Sequence, residues 1–256
     1  MKWKKIGKVL IIDENLELLY HGRFEDLLNE HNVDTIAKIE SIDGKMRQPS
    51  IKILAGSSCT ETIHKENDCL FKLDLAKVMW SKGNTTERMR IANLVQNDEV
   101  VVDMFAGIGY FSIPIAKKSS PKKIYSIEIN PDSYYYLKEN IKLNKINEKS
   151  NKTIGYNIIE PILGDSNEII RNFSANRIIM GYVKTTHEFL DSAIKSLNSE
   201  GIIHYHETVP EKLMLTRPLD RIEKAANNRE VEILNNRIIK KYSPGVVHTV
   251  VDARIY

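Results

Sequence analysis

The sequence predicts an α/β protein: a doubly wound, mostly parallel sheet closed by a C-terminal antiparallel hairpin and preceded by a small β-rich unit. Three observations carry this. From Val100 onward, short apolar runs alternate with stretches of helical spacing, the pattern of parallel strands joined by crossover helices. A Gly-x-Gly turn, Gly107-Ile108-Gly109, follows the first of those strands and opens a helix. Near the C-terminus the alternation stops, and two extended stretches, Val231 to Tyr242 and Val246 to Tyr256, are separated only by Ser243-Pro244-Gly245, which spells a hairpin.

Residues 1–75 carry β-prone runs (Lys8 to Ile12, Ile36 to Ile42, Ile51 to Leu54) between polar turns, and are expected to form a small β-rich domain. Residues 76–98 read as a helical linker contributing to the site, with Thr86, Glu87, Arg88, Arg90 and Leu94 on a helix whose N-cap falls among Asn84, Thr85 and Thr86. Residues 99–256 hold the main sheet. Its strands are expected at Val100 to Val102, ending in Asp103, then at Ile124 to Glu128, Ile158 to Leu163, Arg177 to Val183 and Gly201 to Glu207. Asn130-Pro131 starts a helix carrying Tyr134, Leu137, Ile141 and Leu143, with the proline where a missing N–H costs nothing. Phe189, Leu190, Ala193, Ile194 and Leu197 recur at helical spacing between the last two strands.

With 42% hydrophobic and 28% charged residues the chain is ordinary globular material. A net charge of +3 permits a polyanionic partner without demanding one, so local clusters matter more: Lys2, Lys4, Lys5 and Lys8, then Lys82, Arg88 and Arg90, then Lys240 and Lys241. Cys59, His64 and Cys69 offer three potential ligands without the C-x-x-C pairing of structural zinc sites, so no metal is expected. The apolar run Val9 to Ile12 is too short for a secretory leader, and no run approaches the ~18 apolar residues of a membrane span. The expected compartment is the reducing cytoplasm.

The most informative segment is Asp103-Met104-Phe105-Ala106-Gly107-Ile108-Gly109. Its glycines let the backbone turn tightly against a ligand, but it lacks the third glycine of the dinucleotide fingerprint. Glu128 ends the next strand, where a carboxylate can accept from both hydroxyls of a ribose. Asp103 is awkward beside a pyrophosphate and well placed for the cationic amino-acid end of S-adenosylmethionine (SAM), and Asp165, ending the third strand, can reach an adenine amino group or the rim of its pocket. Acids at three successive strand ends, with no basic residue in the glycine loop, indicate a cofactor without phosphates. A mixed sheet with a closing hairpin is the arrangement SAM-dependent methyltransferases use.

These residues resemble a known family, the enzymes acting on the purine 3′ of the anticodon in tRNA: its guanine N1-methyltransferases and the aminocarboxypropyltransferases of wybutosine synthesis. The resemblance spans the chain. Phe71-Lys72-Leu73-Asp74 through Trp80-Ser81 and Glu87-Arg88 is similar to the family's entry into its catalytic domain, Val102 to Gly109 to its SAM loop, and Glu128-Ile129-Asn130-Pro131 to its ribose turn. Tyr242-Ser243-Pro244-Gly245 and Val250-Val251-Asp252 are similar to its closing hairpin. The methyltransferases read the base with Asn-x-Pro at the end of the fourth strand, where this chain has Gly181-Tyr182-Val183. That sequence, with Thr186-His187, the run Ile203-His204-Tyr205-His206-Glu207-Thr208, and Leu70 in place of an arginine, resembles the aminocarboxypropyl branch.

The resemblance implies a class I SAM-dependent methyltransferase-like (Rossmann-like) fold and transfer of the 3-amino-3-carboxypropyl group of SAM to 4-demethylwyosine in tRNA(Phe). Cofactor contacts are expected from Ser81, Arg88, Asp103, Phe105, Ala106, Gly107, Gly109, Glu128, Asn130, Asp165 and Gly181, with Arg88 facing the SAM carboxylate. Substrate contacts are expected from Tyr182, Val183 and His206. Glu87 is either the group that removes the ring proton or a helix-surface partner of Arg90 or Arg88. A guanine methyltransferase and a non-catalytic tRNA-binding protein are the competing readings.

Overall fold

The computed structural model describes residues 3–80, 84–147, 158–183 and 185–256. The chain opens with β1 (Trp3–Ile6) and β2 (Val9–Ile12), crosses over through α1 (Glu14–Leu19) and α2 (Phe24–His31), and returns as β3 (Thr35–Asp43) and β4 (Gln48–Gly56). These four strands form one sheet in the order β1-β2-β3-β4, with β2 and β3 parallel. Strand β2 is buried on both faces because its side chains alternate: Leu10 and Ile12 pack under the helices with Leu16, Leu27 and Ile36, whereas Val9 and Ile11 join the main core beside Phe71 and Trp80. That two-sided burial explains the unbroken apolar run. The two short helices and β1 were not legible in the sequence, which signals β2, β3 and β4 better than what joins them.

A two-stranded ribbon follows, β5 (Glu61–Glu66) and β6 (Cys69–Asp74), and then α3 (Thr85–Leu94) with Asn84 at its N-cap. Side chains cover the free edge of β6. Asn140 accepts from Lys72 N–H (2.6 Å) and donates to Lys72 C=O (3.1 Å) and Ile108 C=O (3.0 Å). One helical turn on, Asn144 accepts from Leu70 N–H (2.9 Å) and donates to Leu70 C=O (2.7 Å). The period of two in the strand meets the i, i+4 period of a helix, so two amides stand in for a neighbouring strand.

The main sheet has seven strands: β7 (Val100–Asp103), β8 (Lys123–Glu128), β9 (Ile159–Leu163), β10 (Ala175–Met180), β11 (Leu197–Pro210), β12 (Val231–Ser243) and β13 (Val246–Ile255). Their order is β12-β13-β11-β10-β7-β8-β9. The strands β7 to β11 are mutually parallel, and β13 pairs antiparallel with both β11 and β12. Between them run α4 (Ser112–Lys118), α5 (Pro131–Leu143), α6 (Ser166–Ile169), α7 (Leu190–Lys195) and α8 (Arg217–Ala226). The hairpin and the parallel strands stand where the sequence predicts them, with two corrections. The fifth strand runs Leu197–Pro210 rather than Gly201 to Glu207, so Leu197 belongs to it and not to the helix before it. The fourth strand stops at Met180 rather than Val183, because a Cβ on Gly181 would lie 2.8 Å from the Phe111 ring and the chain turns off the sheet there. Helix α8, unforeseen, covers the hairpin with Ile222 and Ala226.

A seam of buried polar groups crosses the sheet toward α3. Arg177 is bidentate to Glu99 (2.7 and 2.8 Å), and its Nη1 meets His204 Nε2 at 2.7 Å. Because arginine only donates, His204 accepts there and donates from Nδ1 to Asp252 at 2.6 Å. Asp252 also accepts from Arg90 (2.6 and 3.0 Å), which is bidentate to Glu87 (2.6 and 2.9 Å). Beside this seam His206 Nδ1 lies 3.0 Å from His248 Nε2, and both rings are buried. Burial holds His204, His206 and His248 neutral, taking His206 down to about 3 and His248 to about 2, and it lifts the Asp103 carboxyl to about 7 against the Ser112 hydrogen bond. For Asp252, burial alone would raise the carboxyl, but the His204 and Arg90 hydrogen bonds overcome it and hold it well below the usual carboxylate range.

Two outcomes follow. Asn140→Leu removes the partner of the buried Ile108 C=O and of the part-buried Lys72 N–H and C=O, and should cost about 2 kcal/mol or more in urea unfolding, whereas a loss under about 1 kcal/mol would mean the edge of β6 finds other partners. Stability should also fall below about pH 6.5, because the unfolded histidines take up protons there while the buried ones stay neutral, each costing up to about 1.4 kcal/mol per pH unit. Asp103 works in the opposite sense, since its raised value contributes stability that is lost as pH rises through about 7, but one carboxyl does not offset three histidines. The check is the urea midpoint at about pH 7 and about pH 5, which should be lower in acid, with the slope flattened in the His206→Asn, His248→Gln double variant.

Candidate active site

The site lies beyond the carboxyl ends of the parallel strands, in a cleft of about 550 Å³. Its floor is the loop from Met104 to Phe111. Main-chain bonds pin the loop to the strands on either side: Met104 N–H to Ile179 C=O (3.1 Å) and Ala106 N–H to Ile127 C=O (2.9 Å). Gly107 turns at φ +58°, where a Cβ would meet the Tyr110 ring at 2.5 Å, so the turn demands glycine. Its N–H donates to Glu128 Oε2 at 2.7 Å, and Asn130 N–H donates to Oε1 at 2.7 Å. One carboxylate thus ties the glycine turn to the turn after β8 and keeps lone pairs for further donors. Burial pushes the Glu128 carboxyl up, and the two N–H groups oppose that shift.

Above this floor, Phe105 packs against Tyr182 (5.3 Å between centroids) and edge-on against Phe189 (5.0 Å), an aromatic wall suited to a planar ring. Across the cleft the Arg88 guanidinium lies 4.7 Å from the centroids of both Trp80 and Tyr110 and donates to Glu66 at 2.7 Å. Asn84 Oδ1, also in the wall, is a buried acceptor with no partner. Two further segments close over it. The turn between β3 and β4 brings Lys45, Met46 and Arg47, held by Lys45–Asp165 (2.9 Å) and Asn130 Nδ2–Met46 C=O (3.1 Å). The hairpin brings Lys240, Tyr242 and His248.

Of the residues singled out in the sequence, Arg88, Phe105, Gly107, Glu128, Gly181, Tyr182 and Val183 line this cleft together. Others stand behind it. Asp103, expected at the cationic end of the cofactor, is fully buried under the loop and accepts from Ser112 at 2.7 Å, and Ala106 is buried in the core. Gly109, at φ +99°, gives the clearance Ile113 needs. Asn130 and Asp165 cap the helices that follow them, and the Lys45 hydrogen bond holds the Asp165 carboxyl below its usual range. His206 is buried behind His248, and Glu87 faces the seam as a partner of Arg90, buried rather than on a helix surface. Ser81 lies outside the described residues. The sequence reading missed the Lys45 to Arg47 turn, because it sits some 60 residues before the glycine loop and carries no motif. It also missed His248, whose one signal is a polar residue in an apolar closing strand.

Comparison with known proteins gives the family and supports the fold. The model of the TRM5/TYW2 methyltransferase domain matches residues 62–234. A tRNA(Phe) (4-demethylwyosine(37)-C(7)) aminocarboxypropyltransferase of Methanocaldococcus jannaschii is 48% identical over 99% of this chain and 98% of its own length. The crystal structure of M. jannaschii TYW2 in complex with AdoMet superposes with a TM-score of 0.76 at 44% identity, covering 99% of both chains. That of P. horikoshii TYW2 in complex with MeSAdo gives 0.81 at 38%, covering all of this chain and 90% of the other. Matched by the domain model over most of its length and by close relatives from end to end, the chain belongs to the TRM5/TYW2 methyltransferase family.

Proposed function

We propose that this protein transfers the 3-amino-3-carboxypropyl group of SAM to C7 of 4-demethylwyosine at position 37 of tRNA(Phe), releasing 5′-methylthioadenosine. The observation that carries this reading is the end-to-end similarity, at 48% identity, to a relative bearing that activity in its name. The cleft supports it. SAM supplies a sulfonium that activates the three carbons bonded to it, so the carbon transferred is set by position. The wall fits such a molecule: Glu128 can accept from ribose hydroxyls, Phe105 and Phe189 can flank adenine, Arg88 can pair with a carboxylate, and the orphan Asn84 Oδ1 can accept from an ammonium. Arg88 already has Glu66, so an incoming carboxylate would share the guanidinium. Gly181-Tyr182-Val183 leaves the acceptor side without the amide a guanine edge would need, which favours this reading over guanine methylation. The basic β3–β4 turn and the exposed Lys4 support a tRNA-contacting role for residues 1–75, with the 76–98 segment contributing Arg88 and Asn84 to the catalytic unit 99–256.

With SAM and tRNA bearing 4-demethylwyosine, the expected by-product is 5′-methylthioadenosine, and label in the aminobutyrate chain, not the methyl group, should enter the tRNA. S-adenosylhomocysteine as the main product would replace this reading with guanine methylation. Glu128→Ala should weaken SAM binding by roughly 1.5–3 kcal/mol, measured by calorimetry, and also lower stability, since Gly107 and Asn130 N–H lose their acceptor. Unchanged affinity would remove Glu128 from the ribose site.

A further inference from the structure

Attack by a ring carbon leaves a problem that attack by a ring nitrogen already bearing a lone pair does not. The carbon's π electrons form the new bond to Cγ, the Cγ–S bond breaks with its pair going to sulfur, and the ring is left cationic with both hydrogen and the new substituent on one carbon. That proton must go to a base before aromaticity returns. Glu87, the carboxylate that the sequence offers, faces away from the cleft and is bidentate to Arg90.

We propose that His248 takes this proton, with His206 and Glu87 behind it as positioning residues; the inference rests on the carbon-transfer reading above. Three observations and one general consideration support it. His248 lines the cleft on β13, four strands across the sheet from Glu128 on β8, and at about 4.8 Å per strand that is the acceptor's half of the cleft, since the ribose end is held at β8. Its Nε2 is taken by His206 Nδ1 at 3.0 Å, and its other nitrogen, Nδ1, is buried without a partner. His206 Nε2 is likewise unpartnered, 4.0 Å from Glu87 Oε1: too long for a hydrogen bond, close enough for charge attraction. Finally, an unpaired polar atom in a buried site calls for a function, and here two occur in one contiguous pair of rings.

The tautomers follow from direction. If His248 carries its proton on Nε2 and donates to His206 Nδ1, then His248 Nδ1 presents a lone pair and His206 Nε2–H faces Glu87. The C–H electron pair returns to the ring as His248 Nδ1 takes the proton. Its Nε2 proton shifts to His206, and the imidazolium rests against the Glu87 carboxylate until products leave and the proton goes to solvent. Burial keeps both rings neutral beforehand, as a base must be. The groups facing His248 are Lys240 on β12, His206 on β11 and Glu87 on α3; the lysine disfavours a lasting imidazolium and the carboxylate favours a transient one. A weak base suffices, because the proton on a cationic sp³ ring carbon is far more acidic than an imidazolium.

The test compares full-length wild type with His248→Ala and His248→Gln in single turnovers on tRNA carrying 4-demethylwyosine with hydrogen or deuterium at C7. Both variants should bind SAM within about twofold of wild type yet transfer about 10²–10⁴-fold more slowly, with a primary isotope effect absent from wild type because deprotonation has become limiting. Added imidazole should partly restore the Ala variant. Independently of activity, ¹⁵N NMR of the free protein should find His248 as the neutral Nε2–H tautomer. Transfer within about threefold of wild type, slowing without an isotope effect, or an Nδ1–H tautomer would overturn the assignment. A wild type that forms S-adenosylhomocysteine instead would overturn the carbon-transfer reading, and His248 with it, whatever the variants do.

Discussion

Glu128 is the constraint on which the site depends. A carboxylate at the end of β8 accepts the N–H of Gly107 from one turn and the N–H of Asn130 from the next, so the two turns that border the cleft share one acceptor. The strand order places β7 beside β8, and their register brings the two turns to the same end of the sheet. Once they are joined, Asn130 can reach Met46 and hold the β3–β4 turn across the opening. The main sheet and an N-terminal sheet distant in sequence are thereby joined across the opening, alongside the Lys45–Asp165 pair and the core that Val9 and Ile11 share with the main sheet.

The other half of the cleft rests on a different principle. Three antiparallel-paired strands, β11, β13 and β12, carry charged and imidazole side chains into the interior, where an isolated charge would be expensive. Each is matched: Glu99 with Arg177, Arg177 with His204, His204 with Asp252, Asp252 with Arg90, Arg90 with Glu87. Such a chain adds little net stability over an apolar core, but removing one member is costly because it strands its neighbour. Its physical effect is to fix the orientation of α3 against the sheet, and α3 carries Arg88 into the cleft. The His206–His248 pair sits beside this seam and, unlike its members, leaves one nitrogen on each ring without a hydrogen-bond partner.

The fold was legible because its signals are local. Apolar runs of strand length alternating with helical spacing, Pro131 at a helix start, and Ser243-Pro244-Gly245 between two extended stretches each depend on neighbours within a few residues. The strand that was read too long failed for a tertiary reason: Gly181 packs against Phe111, some 70 residues earlier, and nothing in the local pattern distinguishes Val183 from a strand residue. Helices α1 and α2 escaped because they are short, six and eight residues, whereas α8 went unread although Pro218 stands in its first turn.

In the site, the sequence by itself pointed to the glycine turn, whose backbone at Gly107 admits no Cβ, to the carboxylate that ends β8, and to Tyr182, which lines the cleft. Only the tertiary structure decided which polar groups face the cleft. Asp103 and Glu87 look equally available on paper, yet one is folded beneath the loop against Ser112 and the other is turned toward Arg90, while His248 comes forward from the last strand. The reason is that a side chain's direction is set by strand pairing and by the partner that neutralises it. For β13 the hairpin partner β12 is local, but the pairing with β11 and the ion pair to Arg90, 162 positions away, are separations that no local pattern encodes.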